Sequence, residues 1–199
     1  AYELTCRDCS SDVCASDLAD PHAWFAPRNA ALYVRNILAG LERIDPAGAA
    51  RYRARAGLYL QQLRVLDAWI REQVNRLPPA GRILVTSHDA FQYFAAEYGF
   101  QNQAPVGWST GSELGAGMTP SRYRQVVAQI RSLGVRAVFV ETSVNPRLIR
   151  EVAAEAGVKV GGRLFSDSMC EAGSAAETYL GMLRENVITI MAALAPEGE

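Results

Sequence analysis

From Arg82 onward, short apolar runs of strand type alternate with segments of helical period, and nothing else in the sequence limits the fold as strongly. Ile83-Leu84-Val85-Thr86, Phe100 to Val106 (a weaker run), Ala137-Val138-Phe139-Val140 and Val158 to Leu164 read as strands. Between and after them, Asp89 to Tyr98, Thr119-Pro120 to Leu133, Pro146 to Ala156 and Ala175 to Leu194 read as helices, with Gly99, Gly134 and Gly157 as stops. Strands that are separated by helices must run parallel, so the pattern predicts an α/β fold: a parallel sheet with flanking helices on both faces. Trp108 to Gly117 is rich in Gly and Ser and reads as a loop.

The segment before Arg82 has a different character. Pro27 is placed to open a helix at its first turn, with Leu32, Ile37, Leu38 and Leu41 as its apolar side. Asp45-Pro46 starts a second helix, with Asp45 as N-cap, and the helical pattern runs to Leu77 before Pro78-Pro79 stops it. That is about 30 residues, or roughly 45 Å at the α-helical rise. Such a length exceeds an ordinary globular helix and suggests a backbone spanning two lobes.

In parallel α/β sheets, ligands bind beyond the carboxyl ends of the strands. The polar residues there are Ser87-His88-Asp89, Glu141-Thr142-Ser143 and Ser166-Asp167-Ser168. The chain has two histidines. His88 follows the first strand, and Asp167 follows the last, at the same edge. His22 lies in the loop Asp20-Pro21-His22-Ala23-Trp24, which the first helices can fold back over that edge. Imidazole with carboxylate suits zinc, iron(II) or manganese(II). Asp20, Asp89 and Glu141 are placed to accept the second N–H of a ligating histidine and fix its tautomer. The residue pattern by itself leaves other readings open. Asp89 and Asp167 are also the residue types that cap helices and turns, and the histidines of a metal-free scaffold or adhesin-like domain would do the same. A metallohydrolase with a His22/His88/Asp167 zinc site and Glu141 as general base is a third reading. No Gly-rich phosphate loop of nucleotide-binding type follows a strand, which disfavours nucleotide enzymes.

Composition narrows the classes further. Apolar residues make up 49% of the 199, enough for a sizeable core, and the formal net charge of −1 argues against nucleic acid as a partner. No run of ~18 apolar residues spans a membrane, and no secretory signal opens the chain. Cys6, Cys9 and Cys14 form C-x2-C-x4-C, half of a zinc module without the second ligand pair; the fourth cysteine is the distant Cys170. The stretch CRDCSSDVCASDL resembles translated sequencing-adapter sequence, so residues 1–18 are expected to be extraneous or disordered.

Several separated motifs, in order, resemble one family. They are Asp20-Pro21-His22-Ala23-Trp24; Thr86-Ser87-His88-Asp89-Ala90-Phe91 with Tyr93-Phe94 and Tyr98-Gly99; Val140-Glu141-Thr142-Ser143-Val144; Leu164-Phe165-Ser166-Asp167-Ser168; and Thr178-Tyr179-Leu180-Gly181-Met182 with Asn186. Together they look like the bacterial solute-binding proteins of zinc, manganese or iron ABC importers (cluster A-I), from about Leu18 to Leu194. The resemblance implies two α/β lobes joined by one long helix, with the metal in the cleft between them. It implies His22, His88 and Asp167 as ligands. Most of the N-terminal lobe, including a further histidine ligand, is missing before Asp20. On this reading residues 19–45 are a remnant of the N-terminal lobe carrying a ligand loop, 46–78 the linking helix and 79–199 the C-terminal lobe. The expected function is capture of a divalent metal and delivery to an ABC importer's membrane subunits, without catalysis. The protein is expected to be a monomer, periplasmic or extracellular, or a membrane-anchored lipoprotein when intact. Nitrogen-rich ligation with one carboxylate favours zinc, with manganese or iron as alternatives.

Overall fold

A computed structural model of the chain describes residues 20–87, 89–104, 119–142 and 146–195. The cysteine-bearing segment 1–18, the Gly/Ser-rich loop 108–117, His88 and Ser143 lie outside the described residues.

The first described element is a 3-10 turn, Ala23–Phe25, followed directly by helix α1, Pro27–Ile44, with Pro27 at its first position. Asp45 ends α1 and caps the next turn. Its carboxylate accepts from the Gly48 amide at 3.1 Å and from the Tyr52 hydroxyl at 2.6 Å. These bonds, that from Tyr52 foremost, hold its pKa below the usual carboxylate value. That 3-10 turn, Pro46–Gly48, leads into α2, Ala49–Val74. The expected long helix is therefore present, at roughly 39 Å for its 26 residues. Its second half buries Leu63, Leu66, Ile70 and Val74, one helical face, against the rest of the molecule. The same helix also packs against α1. This corrects the expected apolar side of α1: Leu32 and Ile37 are exposed, and Leu38 and Leu41 are half-buried. The physical reason is that α1 meets only one long helix, and nothing among the described residues covers its other flank.

The remainder alternates as expected. Strand β1 is Ile83–Val85, α3 Gln92–Tyr98, β2 Gln101–Gln103, α4 Pro120–Leu133, β3 Ala137–Glu141, α5 Pro146–Ala156, β4 Lys159–Leu164 and α6 Tyr179–Leu194. Both strand pairings are parallel, β1 with β2 and β3 with β4, and β1 lies beside β3. The sheet is thus two hydrogen-bonded pairs set side by side. Two helices start later than the sequence suggests. Helix α3 begins at Gln92, because the Asp89 carboxylate accepts from the side-chain amides of Gln92 and Asn102, both at 2.8 Å, and caps no backbone amide of α3. Helix α6 begins at Tyr179, because extended Thr178 accepts from the Gly181 amide as its N-cap.

Side-chain alternation along β3 divides the core. Ala137 and Phe139 face a cluster built from α2, α3 and α6, with Phe25, Phe91, Phe94 and Leu164 at its centre. Val138 and Val140 face a second cluster of Val126, Ile130, Ile149 and Val152 from α4 and α5. Helices therefore cover both faces, which is why β3 is buried throughout.

Gly161 and Gly162 let α6 approach β4. The pairing slips by one residue between Val138 and Phe139, leaving Gly161 as a bulge. A Cβ on Gly161 would stand 2.6 Å from the Ala193 Cβ and 2.7 Å from the Phe139 ring. Gly162 has φ 145° and lies against Thr189 of α6. Gly161→Ala is expected to lower stability by about 1–3 kcal/mol through overpacking, read as an earlier chemical-denaturation midpoint at unchanged slope.

Candidate metal centre

The carboxyl ends of β1, β3 and β4 meet at one edge, and two of them are tied together. The Glu141 amide donates to the Ser87 hydroxyl oxygen at 2.9 Å, and that hydroxyl donates to Glu141 Oε1 at 3.3 Å. Ser87 and Glu141 are both fully buried. The Glu141 side chain therefore lies beneath the edge.

Asp167 follows β4 by way of Phe165 and Ser166. Buried Ser166 donates its hydroxyl to Asp167 Oδ2 at 3.1 Å, which orients the carboxylate. The other oxygen, Oδ1, faces His22 Nε2 at 3.6 Å. The loop of His22 is itself ordered by Asp20: Oδ1 of Asp20 accepts from the His22 backbone amide at 2.9 Å and from its ring Nδ1 at 2.7 Å. An acceptor at Nδ1 fixes the ring's orientation, with Nε2 directed toward Asp167. His22 directly precedes the turn 23–25, yet its side chain makes no capping hydrogen bond. A turn-capping role does not account for where the ring points.

Packing fixes this loop from below. Phe25 is fully buried and stacks on Phe91 at a ring separation of 4.3 Å; Trp24 lies edge-on to the His22 ring at 5.3 Å. Buried Asn29 donates to the Ala23 carbonyl at 3.0 Å. His22 is 13% exposed and Asp167 is 45% exposed, so the pair sits at the rim of the sheet edge with one side open to solvent.

The donor spacing has a direct chemical meaning. Two nitrogen or oxygen ligands, each ~2.1 Å from a tetrahedral zinc ion, stand about 3.4 Å apart. The 3.6 Å between His22 Nε2 and Asp167 Oδ1 is close to that, and longer than a good N–H···O hydrogen bond. Of the residues singled out in the sequence, the structure brings His22, Asp167 and Asp20 together. Asp89 is exposed, with its carboxylate turned to Gln92 and Asn102. Glu141 is buried against Ser87, and His88, between Ser87 and Asp89, lies outside the described residues. Sequence reasoning did not single out Ser166 or Asn186 as supports. Asn186 carried a signal, being a polar residue on the apolar face of α6 between Leu183, Val187 and Ile190. Asp20→Asn is expected to weaken zinc binding by ~10–100-fold through loss of ring orientation; competition against a chromogenic chelator measures it.

A parallel α/β lobe is hung on one long helix, and the His22 imidazole faces the Asp167 carboxylate beyond the end of β4. The chain belongs to the family described as zinc-uptake complex component A, periplasmic, whose model matches residues 5–193. It is similar to the manganese-binding lipoprotein MntA of Halalkalibacterium halodurans, at 39% identity over 90% of this chain and 59% of that protein. It is also similar to the zinc-binding protein TroA of Treponema pallidum, at 38% identity over 88% of this chain and 58% of that protein. The solved structure of that periplasmic zinc-binding protein superposes with a TM-score of 0.79, covering 89% of this chain and 64% of that one. The iron-binding protein YfeA of Yersinia pestis is 35% identical over 88% of this chain and 55% of its own length. The chain thus spans somewhat over half the length of these relatives. No helix among the described residues is long and apolar enough to cross a membrane.

Proposed function

We propose that this chain carries the C-terminal part of a metal-capture site, in which His22, His88 and Asp167 hold a divalent transition metal that is delivered to the membrane subunits of an ABC importer. The observation that carries this reading is the line Asp20–His22–Asp167: a carboxylate behind the imidazole and a second carboxylate 3.6 Å in front of it. In the whole protein, residues 19–45 bring the first of these ligand loops, 46–78 form the linking helix, and 79–199 form the C-terminal lobe. That protein works outside the cytoplasmic membrane, as a periplasmic or lipid-anchored binding protein, and meets its importer as a monomer.

Zinc is the favoured cargo. Nitrogen-rich ligation suits it, and the Irving–Williams order places it above manganese and iron(II). The relatives' own names divide between manganese, zinc and iron. A competition titration of chelator-stripped protein is expected to give tighter binding of zinc than of manganese. Equal or tighter manganese binding overturns the choice of zinc and leaves the capture reading standing. The metallohydrolase alternative gains no support. The family is one of uptake components, and the Glu141 carboxylate is buried against Ser87.

A further inference from the structure

The two described ligand loops are far apart in sequence, yet both are fastened to one helix. At the first turn of α6, the Tyr179 hydroxyl donates to the Trp24 carbonyl at 2.6 Å. Trp24 lies two residues after His22, in the turn immediately C-terminal to it. Burial pushes the Tyr179 phenol pKa well above its ordinary value, so the group remains a proton donor. About two helical turns further along, buried Asn186 grips both backbone groups of Phe165. Its Oδ1 accepts from the Phe165 amide and its Nδ2 donates to the Phe165 carbonyl, each at 2.8 Å. Phe165 lies two residues before Asp167. Residues this far apart on a helix fall nearly on one face, so α6 presents a pair of clamps in line, one for each loop.

We propose that Tyr179 and Asn186 are positioning residues for the metal site, α6 acting as the strut that sets the distance between His22 Nε2 and Asp167 Oδ1. This rests on the reading that those two side chains hold the metal. The two clamps differ in what they fix. Tyr179 takes one carbonyl and stops the His22 turn from lifting away. Asn186 takes both an amide and a carbonyl of one residue, which fixes the peptide orientation from which Ser166 and Asp167 emerge. Glycines 161 and 162, by letting α6 sit close on β4, set the depth of the strut.

The test uses the 199-residue chain, with zinc and cobalt(II) as probes. Tyr179→Phe removes only a hydroxyl. It is expected to weaken zinc binding at least ~10-fold, in the range for groups that orient metal ligands, and to alter the visible cobalt(II) spectrum, whose bands report ligand geometry. Tyr98→Phe is the control: that hydroxyl is also part-buried and hydrogen-bonded, to Asp67 Oδ1 at 2.8 Å, but holds no ligand loop. It is expected to lower the melting temperature while leaving affinity and spectrum unchanged. Asn186→Leu is expected to match Tyr179→Phe or exceed it; if it does not fold, Tyr179→Phe still decides. In a His22→Ala background, Tyr179→Phe should cause no further loss. If Tyr179→Phe lowers metal-free stability while affinity and spectrum stay as in the unaltered chain, the hydroxyl is structural only and the positioning role is wrong. If His22→Ala and Asp167→Ala themselves bind zinc as the unaltered chain does, the site assignment fails instead.

Discussion

Replacing His22 or Asp167 by alanine is expected to weaken zinc binding by more than about 100-fold, exceeding the ~10–100-fold lost when a group behind a ligand is removed. His22→Ala deletes the nitrogen that Asp20 holds in place by a 2.7 Å bond to the opposite ring atom. Asp167→Ala deletes an oxygen donor and its charge, and leaves the Ser166 hydroxyl without its carboxylate acceptor. His88→Ala is expected to behave as these two do. The fold should survive both described changes. The His22 side chain caps no turn, and Asp167 is nearly half exposed. The measurement is calorimetric titration of zinc into chelator-stripped protein, beside a thermal melt without metal. A large loss of affinity with a near-normal melt separates loss of a ligand from loss of structure. Calorimetric affinity equal to that of the unaltered chain in either variant removes that residue from the site.

Phe25→Ala is expected to have the largest effect on stability among single changes near the site. Its ring is fully buried, stacked on Phe91 and next to Trp24, at the top of the larger core cluster. Truncating such a ring typically costs about 3–5 kcal/mol, part from lost burial and part from the cavity left behind. For a domain of this size that lowers the melting temperature by roughly 6–20 °C. Metal binding should weaken as well, because the turn that starts at His22 is anchored into the core by this ring. Ile44→Ala gives the contrast. Ile44 is 74% exposed, so its change should stay within about 0.5 kcal/mol. If Phe25→Ala melts like the unaltered chain, the turn is not held by the core and its order has another source.

The elements were legible where local chemistry alone decides them. Pro27, Pro120 and Pro146 open helices where expected, and Gly99, with φ 73°, closes α3. Strand β3 read clearly because five consecutive residues are buried on both faces. The misreadings arose where tertiary context decides. Helix α3, expected from Asp89, starts at Gln92, because the Asp89 carboxylate turns to the Gln92 and Asn102 side chains. Leu32 and Ile37 have helical spacing, but a periodic face stays exposed when no neighbouring element covers it. The bulge at Gly161 depends on how closely α6 packs, which no local pattern states.

At the site, the sheet-edge rule put Asp167 beyond the end of β4 because β4 was recognised as a strand. Asp20 was legible as a partner of His22 from their spacing in a Pro-containing turn. The approach of His22 to Asp167 was not legible from spacing, since it depends on how α1 and α2 fold back and on the grip of α6; the family resemblance supplied it. The Asn186 clamp needed the fold, because only the structure shows which backbone segment lies against that face.

Zinc K-edge X-ray absorption on the metal-loaded chain tests the central claim most directly, because it reports the donor atoms themselves. The expected spectrum is a shell of nitrogen and oxygen at ~2.0–2.2 Å, with the multiple-scattering pattern of two imidazoles, and loss of one imidazole contribution in His22→Ala. A sulfur shell at ~2.3 Å, unchanged in His22→Ala, would contradict the assignment and place the metal on the cysteines instead.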